Sequence, residues 1–347
     1  MARKLVERKT RASRGVSGAG GIVPTIFPSN FLIAISLAVF GLAILLPGAP
    51  QQTVDNPDKP ISVDVNLVVV RAIVSEGGGH PISGLKQEDF EVYEDGVRQP
   101  IRVFTHEDIP VNAGLVVDHS GSMRRKLTEV GVASRAFAEL SNPEDRMFVV
   151  NFNDHVALGL PEGTPFTGSS AALQSAISEA QAEGRTALYD GIAKALDQLK
   201  LGNLDKKALI VVSDGGDNAS RHTLPQVLKL AEQSSAVIYT VGIFDEDDPD
   251  ANRSVLRTLA KSSGGIAFFS DDVAELKAFC ERIAHDIRNQ YTIGYAPLKP
   301  AKPGEYRSIR IVAKAPHHGK LSVRARTGYL VSGGSRDTEP NPLKTSR

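Results

Sequence analysis

The stretch that decides the fold is Gly114-Leu-Val-Val-Asp118-His-Ser120-Gly-Ser122-Met. It begins with small and β-branched apolar residues, a pattern typical of a strand that is buried on both faces of a sheet. The strand ends at an acid, and two serines follow at alternating positions. Because open α/β sheets bind ligands at the carboxyl ends of their strands, this boundary indicates a ligand site.

The side chains at this boundary suit a hard divalent cation. Asp118, Ser120 and Ser122 offer one carboxylate oxygen and two hydroxyl oxygens, which make half of the octahedral shell of an ion such as Mg²⁺. The remaining positions stay open to water or to a ligand. Since hydroxyls carry no charge, the ion keeps more positive charge than in an all-carboxylate site, and it attracts an anion.

Two later stretches carry further oxygen ligands. Gly184-Arg-Thr186-Ala-Leu-Tyr-Asp190 places a hydroxyl before a helical pattern, and Leu209-Ile-Val-Val-Ser213-Asp214 is a second buried strand that ends in an acid. A parallel sheet would bring both stretches to the edge that holds Asp118. A structural alternative stays open, in which these residues only cap a helix or form turns. The order and the boundaries of the three motifs favour a metal site.

This pattern resembles the von Willebrand factor type A domain and its metal-ion-dependent adhesion site, written D-x-S-x-S, then T, then D. The matching residues are Asp118, Ser120, Ser122, Thr186 and Asp214. The resemblance implies that these residues hold Mg²⁺, or Mn²⁺ or Ca²⁺ in its place, directly or through water. It also implies that an Asp or Glu of a partner protein takes the open position of the ion. Weaker likeness in the flanks resembles a bacterial group of exported type A-related proteins.

The segment 111–289 alternates helical and apolar-strand patterns. Strands that are separated by helices predict an α/β fold with a doubly wound, mostly parallel sheet, in the order of the von Willebrand type A fold. The predicted helices are 126–140, 171–182, 188–199, 224–233, 252–262 and 273–289, and the strands after the first are 146–152, 156–160, 207–213, 236–243 and 265–269.

The flanking segments 61–110 and 290–332 have β character. The first contains a hairpin pattern with Asp95-Gly96 at its turn, and the second contains three strand patterns that are separated by turn signals. Neither segment has enough strands to close a core alone. We therefore predict that the two join into a small β-sandwich into which the α/β domain is inserted.

The N-terminal part predicts export or anchoring. Residues 1–30 are basic, and an uncharged apolar run follows within residues 31–47. As a helix, its sixteen core residues span roughly 24 Å of a ~30 Å hydrocarbon core, which favours a cleaved signal peptide. The long basic region and the lack of a clear cleavage site favour a retained anchor. We expect a single-pass anchor with the rest of the chain in the cell envelope outside the cytoplasm, and secretion after cleavage is the alternative.

Other segments and the composition narrow the possible functions. Residues 48–60 are predicted to form a linker and 333–347 a disordered tail. The 40 basic and 40 acidic residues balance and Trp is absent, so the sequence does not favour a nucleic-acid partner. Cys280 is the only cysteine, which excludes an internal disulfide, and its helical pattern predicts that it is buried. The acidic stretch 244–250 lacks EF-hand spacing and reads as a solvated loop.

The motif does not match two common hydrolytic sites. An aspartate nucleophile of the phosphoryl-transfer type needs a second acid where Ser120 stands, and a serine hydrolase needs Gly-x-Ser-x-Gly. His119 should point away from the cation. We expect a non-enzymatic, metal-dependent module that binds proteins. A metal-assisted hydrolase and an envelope scaffold in which the ion only stabilises the loops are the alternatives.

Overall fold

The computed structural model describes residues 67–77, 80–244 and 251–331. The strands are β1 (Val68–Glu76), β2 (His80–Pro81), β3 (Phe90–Glu94), β4 (Val97–Gln99), β5 (Ile101–Thr105), β6 (Val111–Asp118), β7 (Arg146–Phe152), β8 (Val156–Leu158), β9 (Lys206–Ser213), β10 (Val237–Ile243), β11 (Ala267–Ser270), β12 (Tyr291–Tyr295), β13 (Tyr306–Ala313), β14 (Leu321–Ala325) and β15 (Gly328–Leu330). The α-helices are α1 (Leu127–Leu140), α2 (Ser170–Ser178), α3 (Leu188–Leu199), α4 (Leu224–Gln233), α5 (Arg253–Ser263) and α6 (Leu276–Arg288).

A mostly parallel sheet lies at the centre of the α/β part, with the strand order β11-β10-β9-β6-β7-β8. The edge pair of β7 and β8 is antiparallel, and the other pairs are parallel. The strand β6 is buried along its whole length, as its small and β-branched residues predict. A Cβ at Gly114 would clash with the ring of Phe148 and would lie 2.7 Å from Cδ2 of Leu209. The neighbouring strands therefore leave room only for glycine at this position.

The helices cover the two faces of this sheet. α1 packs against α2 and α6, whereas α4 packs against α3 and α5. The predicted fold class is thus confirmed, with two corrections to the helix bounds. α2 ends at Ser178 instead of residue 182, because the chain turns back so that the amide of Glu183 can donate to His119 O over 2.9 Å. The last helix is α-helical only from Leu276, after a 3₁₀ turn at Val273–Glu275.

The flanking strands form two antiparallel sheets that share one core. One sheet has the order β14-β1-β12-β5, with β2 paired to β1, and the other has the order β15-β13-β3-β4. Each sheet mixes strands from before and after the α/β part. Their common core includes Val70, Val92, Tyr291, Ile293 and Ile309. The predicted sandwich, with the α/β domain inserted between β5 and β12, is confirmed.

The predicted hairpin turn is also present. Asp95 and Gly96 connect β3 to β4 with φ angles of 46° and 76°, the left-handed values that this turn type needs. Beside the turn, the buried carboxylate of Glu94 accepts hydrogen bonds from the hydroxyls of Tyr295 at 2.7 Å and Tyr329 at 3.0 Å. Glu94 therefore depends on the C-terminal strands, because a buried carboxylate without partners is strongly unfavourable.

Several predictions from sequence fall on residues outside the described ranges. They are the basic segment 1–30, the apolar segment 31–47, the linker 48–60, the tail 333–347 and the acidic residues 245–250. In the part of the chain that the structure describes, no helix has the length and apolar character that a membrane crossing needs.

The two separate cores lead to a prediction about fragments. Every buried member of the α/β core lies between Val111 and Ile287, whereas the sandwich core needs residues from both flanks. We expect residues 111–289 alone to unfold cooperatively in urea, as followed by circular dichroism. Residues 61–105 alone should lack a cooperative transition, because Tyr291, Ile293 and Ile309 are missing. A cooperative transition in the 61–105 peptide would contradict this account.

The close packing at Gly114 leads to a second prediction. Gly114→Ala should destabilise the protein by about 1–3 kcal/mol, because an added methyl group has no room between β7 and β9. The urea midpoint would measure the loss. Gly168→Ala is the matched control, since a Cβ there meets first the end of the flexible Arg146 side chain, at 3.2 Å. Equal midpoints for the two variants would contradict the packing argument.

Candidate metal centre

The loops after β6 and β9 meet through a chain of hydrogen bonds. Ser120 Oγ lies 3.1 Å from Ser122 Oγ, and Ser122 Oγ donates to Asp214 Oδ2 over 2.7 Å. Ser122 and Asp214 are 92 residues apart in the chain. Since β6 and β9 are adjacent and parallel, their carboxyl ends bring these side chains together. Three of the five predicted ligands therefore lie in direct contact.

Asp118 lies beneath this contact and is fully buried. The amide of Ser120 donates to its Oδ1 over 2.8 Å, and the hydroxyl of Ser213 donates to its Oδ2 over 2.6 Å. Burial, together with the charge of Asp214, raises the pKa of Asp118 to about 6, although these hydrogen bonds lower it. The site thus holds two carboxylates that repel each other in a region with little water.

Thr186 lies on the loop before α3, and this loop contacts the loops that carry the other four residues. It is buried, and its amide donates to Oδ1 of Asn218 over 2.9 Å. Its carbonyl oxygen accepts from the amides of Asn218 and Ala219, both at 3.0 Å. The same loop touches the β6 turn, where Gly121 N donates to Gly184 O over 3.3 Å. Backbone contacts therefore hold Thr186 between the two loops that carry the other four residues.

The donor set fits a hard cation. It consists of two carboxylates and three hydroxyls, and oxygen ligands of this kind are those that Mg²⁺, Mn²⁺ and Ca²⁺ prefer. Within residues 67–77, 80–244 and 251–331, no group of three or more His, Cys, Asp or Glu side chains is placed to hold a metal ion. The set at Asp118 therefore depends on its hydroxyls. A cation would also offset the repulsion between the two carboxylates.

His119 points away from the site, as the sequence predicts. Its ring is buried, with Nδ1 3.1 Å from Val117 O and Nε2 3.0 Å from Ile177 O. Both ring nitrogens thus face backbone oxygens. The imidazole connects the end of β6 to α2 and does not face the hydroxyl of Ser120.

Sequence reasoning missed some residues that support the site. Ser213 holds Asp118, and Asp217 accepts from the amide of Tyr189 at 3.2 Å and from the hydroxyl of Ser220 at 2.5 Å. Asp154 accepts hydrogen bonds from the amide and from Nε of Arg185, at 2.9 and 2.8 Å. A signal for Ser213 was available, since it immediately precedes Asp214 at the end of a buried strand. The contacts of Asp217 with Tyr189 and of Asp154 with Arg185 join residues about thirty positions apart and have no local signal.

Comparison with known proteins supports the resemblance. The family profile of the von Willebrand factor type A domain matches residues 114–282. An uncharacterized protein of Synechocystis sp. is 29% identical over 171 residues, which are 48% of this chain and 39% of the relative. The chain thus spans well under half of the length of that curated relative.

Two solved structures of type A proteins align with this chain at low sequence identity. A von Willebrand factor type A protein from Catenulispora acidiphila has a TM-score of 0.47 and 15% identity, over 77% of this chain and 74% of that one. The von Willebrand domain of a type V pili tip protein from Porphyromonas gingivalis has a TM-score of 0.44 and 15% identity, over 52% of this chain and 95% of that one.

The family that residues 114–282 match indicates the kind of function that is typical of such domains. Type A domains are typical of adhesion and protein-interaction modules and are usually non-catalytic. The motif, the mostly parallel sheet and the converging loops agree with the family match over residues 114–282. Residues 114–282 of this chain therefore match the von Willebrand factor type A domain family.

Proposed function

We propose that this domain binds a partner protein through a divalent cation that Asp118, Ser120, Ser122, Thr186 and Asp214 hold. The 2.7 Å hydrogen bond between Ser122 and Asp214 carries the proposal, because it brings oxygen ligands from two strands to one point. A bound Mg²⁺, or Mn²⁺ or Ca²⁺, supplies a positive charge with an open position for an oxygen ligand. An Asp or Glu of the partner fits that position.

The residues of the chain have distinct parts in this proposal. Asp118 and Asp214 supply the negative charge, and Ser120, Ser122 and Thr186 supply neutral oxygens. Ser213 and the amide of Ser120 fix the orientation of the Asp118 carboxylate. Because only two of the five ligands are charged, the cation keeps enough positive charge to attract a carboxylate from another protein.

A binding role agrees better with the site than hydrolysis does. A hydrolytic serine needs a base within hydrogen-bond reach of its hydroxyl. His119 is the nearest histidine in sequence to Ser120, and both of its ring nitrogens lie against backbone oxygens. We therefore assign no catalytic residue.

The proposed location is the cell envelope, outside the cytoplasm. The basic segment 1–30 and the apolar segment 31–47 support a single-pass anchor. We infer that the metal site faces partners outside the membrane to which the chain is attached. Secretion of a cleaved form is compatible with the same binding function.

Metal binding is testable by melting temperature. In EDTA, Asp118→Asn should melt at a higher temperature than the wild type, because the variant removes a buried charge and its repulsion with Asp214. Adding Mg²⁺ should raise the melting temperature of the wild type and leave that of the variant unchanged. Circular dichroism of the full chain would measure both effects.

Affinity for the ion gives an independent measurement of the same site. Ser122→Ala should weaken Mn²⁺ binding by at least roughly tenfold, because it removes a proposed ligand and even the loss of an outer-shell partner costs about that much. Electron paramagnetic resonance of free Mn²⁺ would report it. The matched control is Asp197→Asn, whose exposed side chain pairs with Lys200 on the surface. The metal site would be refuted if Ser122→Ala bound Mn²⁺ as the wild type does.

Partner binding needs a separate experiment. The immobilised full chain should capture an envelope protein in Mg²⁺ and release it in EDTA, and Asp118→Ala should capture none while remaining folded. A scaffold role predicts the opposite, with a lower melting temperature and unchanged capture. Mg²⁺-dependent turnover of a panel of esters and phosphoesters would instead indicate a hydrolase.

A further inference from the structure

Two arginines of the sandwich, the buried Arg71 and the half-buried Arg326, differ from Arg307 and Arg324 of the same sandwich. Arg324 on β14 lies 2.7 Å from the carboxylate of Asp286, and Arg307 on β13 lies within 4 Å of three carboxylates. In the described part of the chain, Arg71 on β1 and Arg326 just after β14 have no carboxylate within 4 Å. Neither guanidinium therefore forms the close ion pair that a buried cation normally needs.

Neutral oxygens hold these two side chains instead. Arg71 is only 9% exposed, and it donates to Asp205 O at 2.5 Å and to Thr292 Oγ1 at 3.4 Å. Arg326 donates to Val69 O at 2.8 Å. Among the described residues, Nε of Arg71 and Nε of Arg326 are both buried without a hydrogen-bond partner. Such donors are costly to bury, so an anionic acceptor at this place would stabilise the protein.

The charges of the two groups interact. Burial lowers the pKa of Arg71, nearby Asp205 raises it and Arg326 lowers it further. Burial also lowers the pKa of Arg326. The two cations are thus close enough to repel each other in a region where water screens poorly. An anion between them would remove this repulsion.

Both arginines line a cavity of about 1190 Å³. Its walls come from the sandwich and from the turn between α4 and β10, and many are apolar, including Leu67, Val103, Pro297 and Leu330. Glu232 also lines it, and burial raises the pKa of that carboxyl. Large apolar cavities with a few converging polar groups are the usual form of sites for small organic ligands.

The cavity lies far from the metal centre. Asp205, which lines it, immediately precedes β9, whereas Asp214 immediately follows the same strand. Eight residues of extended chain separate the two positions by on the order of 25 Å. A ligand in the cavity would therefore bind independently of the cation.

We propose that this cavity binds an amphiphilic anion, with a carboxylate or phosphate head between Arg71 and Arg326 and an apolar body along the apolar wall. A planar guanidinium presents paired donors that match the oxygens of either head group. The apolar wall would contact the apolar body of the ligand. The source is either a free organic anion or an anionic lipid, and the experiment separates the two.

Octanoate is the probe for the site. The full chain in phosphatidylcholine nanodiscs should retain octanoate in equilibrium dialysis beyond the amount that empty discs retain. Octanol, which has the same chain without the charge, should show no such excess, and acetate should bind at least tenfold more weakly than octanoate. Equal excess retention of octanol and octanoate would overturn the proposal, because the arginines would then contribute nothing.

Variants test the role of the arginines. Arg326→Met should weaken octanoate binding roughly tenfold to a hundredfold, the usual effect of losing charged hydrogen bonds. Arg310→Met is the matched control, since Arg310 is exposed and stacks on Tyr93 at 4.2 Å outside the cavity. Unchanged octanoate binding in Arg326→Met would overturn the proposal.

A variant of another residue that lines the cavity keeps the test decisive if Arg326→Met does not fold. Ser235 is exposed and lines the cavity together with both arginines. Ser235→Asp should raise the melting temperature and abolish octanoate retention, because an internal carboxylate would take the place of the ligand. Ser235→Asn should change neither quantity. If Ser235→Asp bound octanoate like the wild type, the assigned position of the head group would be wrong.

The composition of the disc identifies the source of the ligand. Replacing part of the phosphatidylcholine by phosphatidylglycerol should lower octanoate retention if an anionic lipid occupies the site. Unchanged retention would identify a free organic anion as the ligand. Either result supports the site, provided that retention still depends on Arg326.

Discussion

Burial of the Asp118 carboxylate is the constraint on which the rest of the site depends. A carboxylate at the end of a central strand has lost its water, and it lies near a second one at Asp214. It is tolerable there only because the hydroxyl of Ser213 and the amide of Ser120 donate to it. The β6 turn must therefore keep one conformation, and this conformation places Ser122 against Asp214.

The sandwich restrains the α/β part from both of its chain ends. β5 leads into β6, and α6 leads into β12 after only two residues. The buried carboxylate of Asp286 on α6 pairs with Arg324 of the sandwich, and the ammonium of Lys206 donates to Ile287 O at the end of the same helix. Any displacement of α6 must therefore disturb buried charges as well as the strand that follows it.

The partners of the enclosed arginines differ between the two ends of the sandwich. Close to the hairpin, Arg307 and Glu94 take part in a network with tyrosine hydroxyls. Near the turn between α4 and β10, Arg71 and Arg326 face a cavity and form no ion pair within 4 Å, although Asp205 and Glu232 also line that cavity. Since burying a cation costs far more than burying an apolar side chain of similar size, such an arrangement points to a ligand rather than to stability.

The sequence alone was sufficient for most of the elements and for the choice of the proposed metal ligands. Runs such as 114–118 and 209–213 predict buried strands, and Asp95-Gly96 predicts a hairpin, because these signals depend on neighbouring residues. The family motif predicts the five oxygen ligands without coordinates. The end of α2 was misplaced, because a contact between Glu183 and His119, 64 positions apart, decides it.

Tertiary structure alone decided which groups share a buried space. The support that Ser213 gives to Asp118 and the absence of an ion pair within 4 Å at Arg71 and Arg326 in the described part of the chain have no local pattern in the sequence. Periodicity reports which face of a strand is buried, but it carries no information about the distant side chain that faces it. Hydrogen bonds and charge interactions act over a few ångströms in space, so the fold must form before their partners are determined.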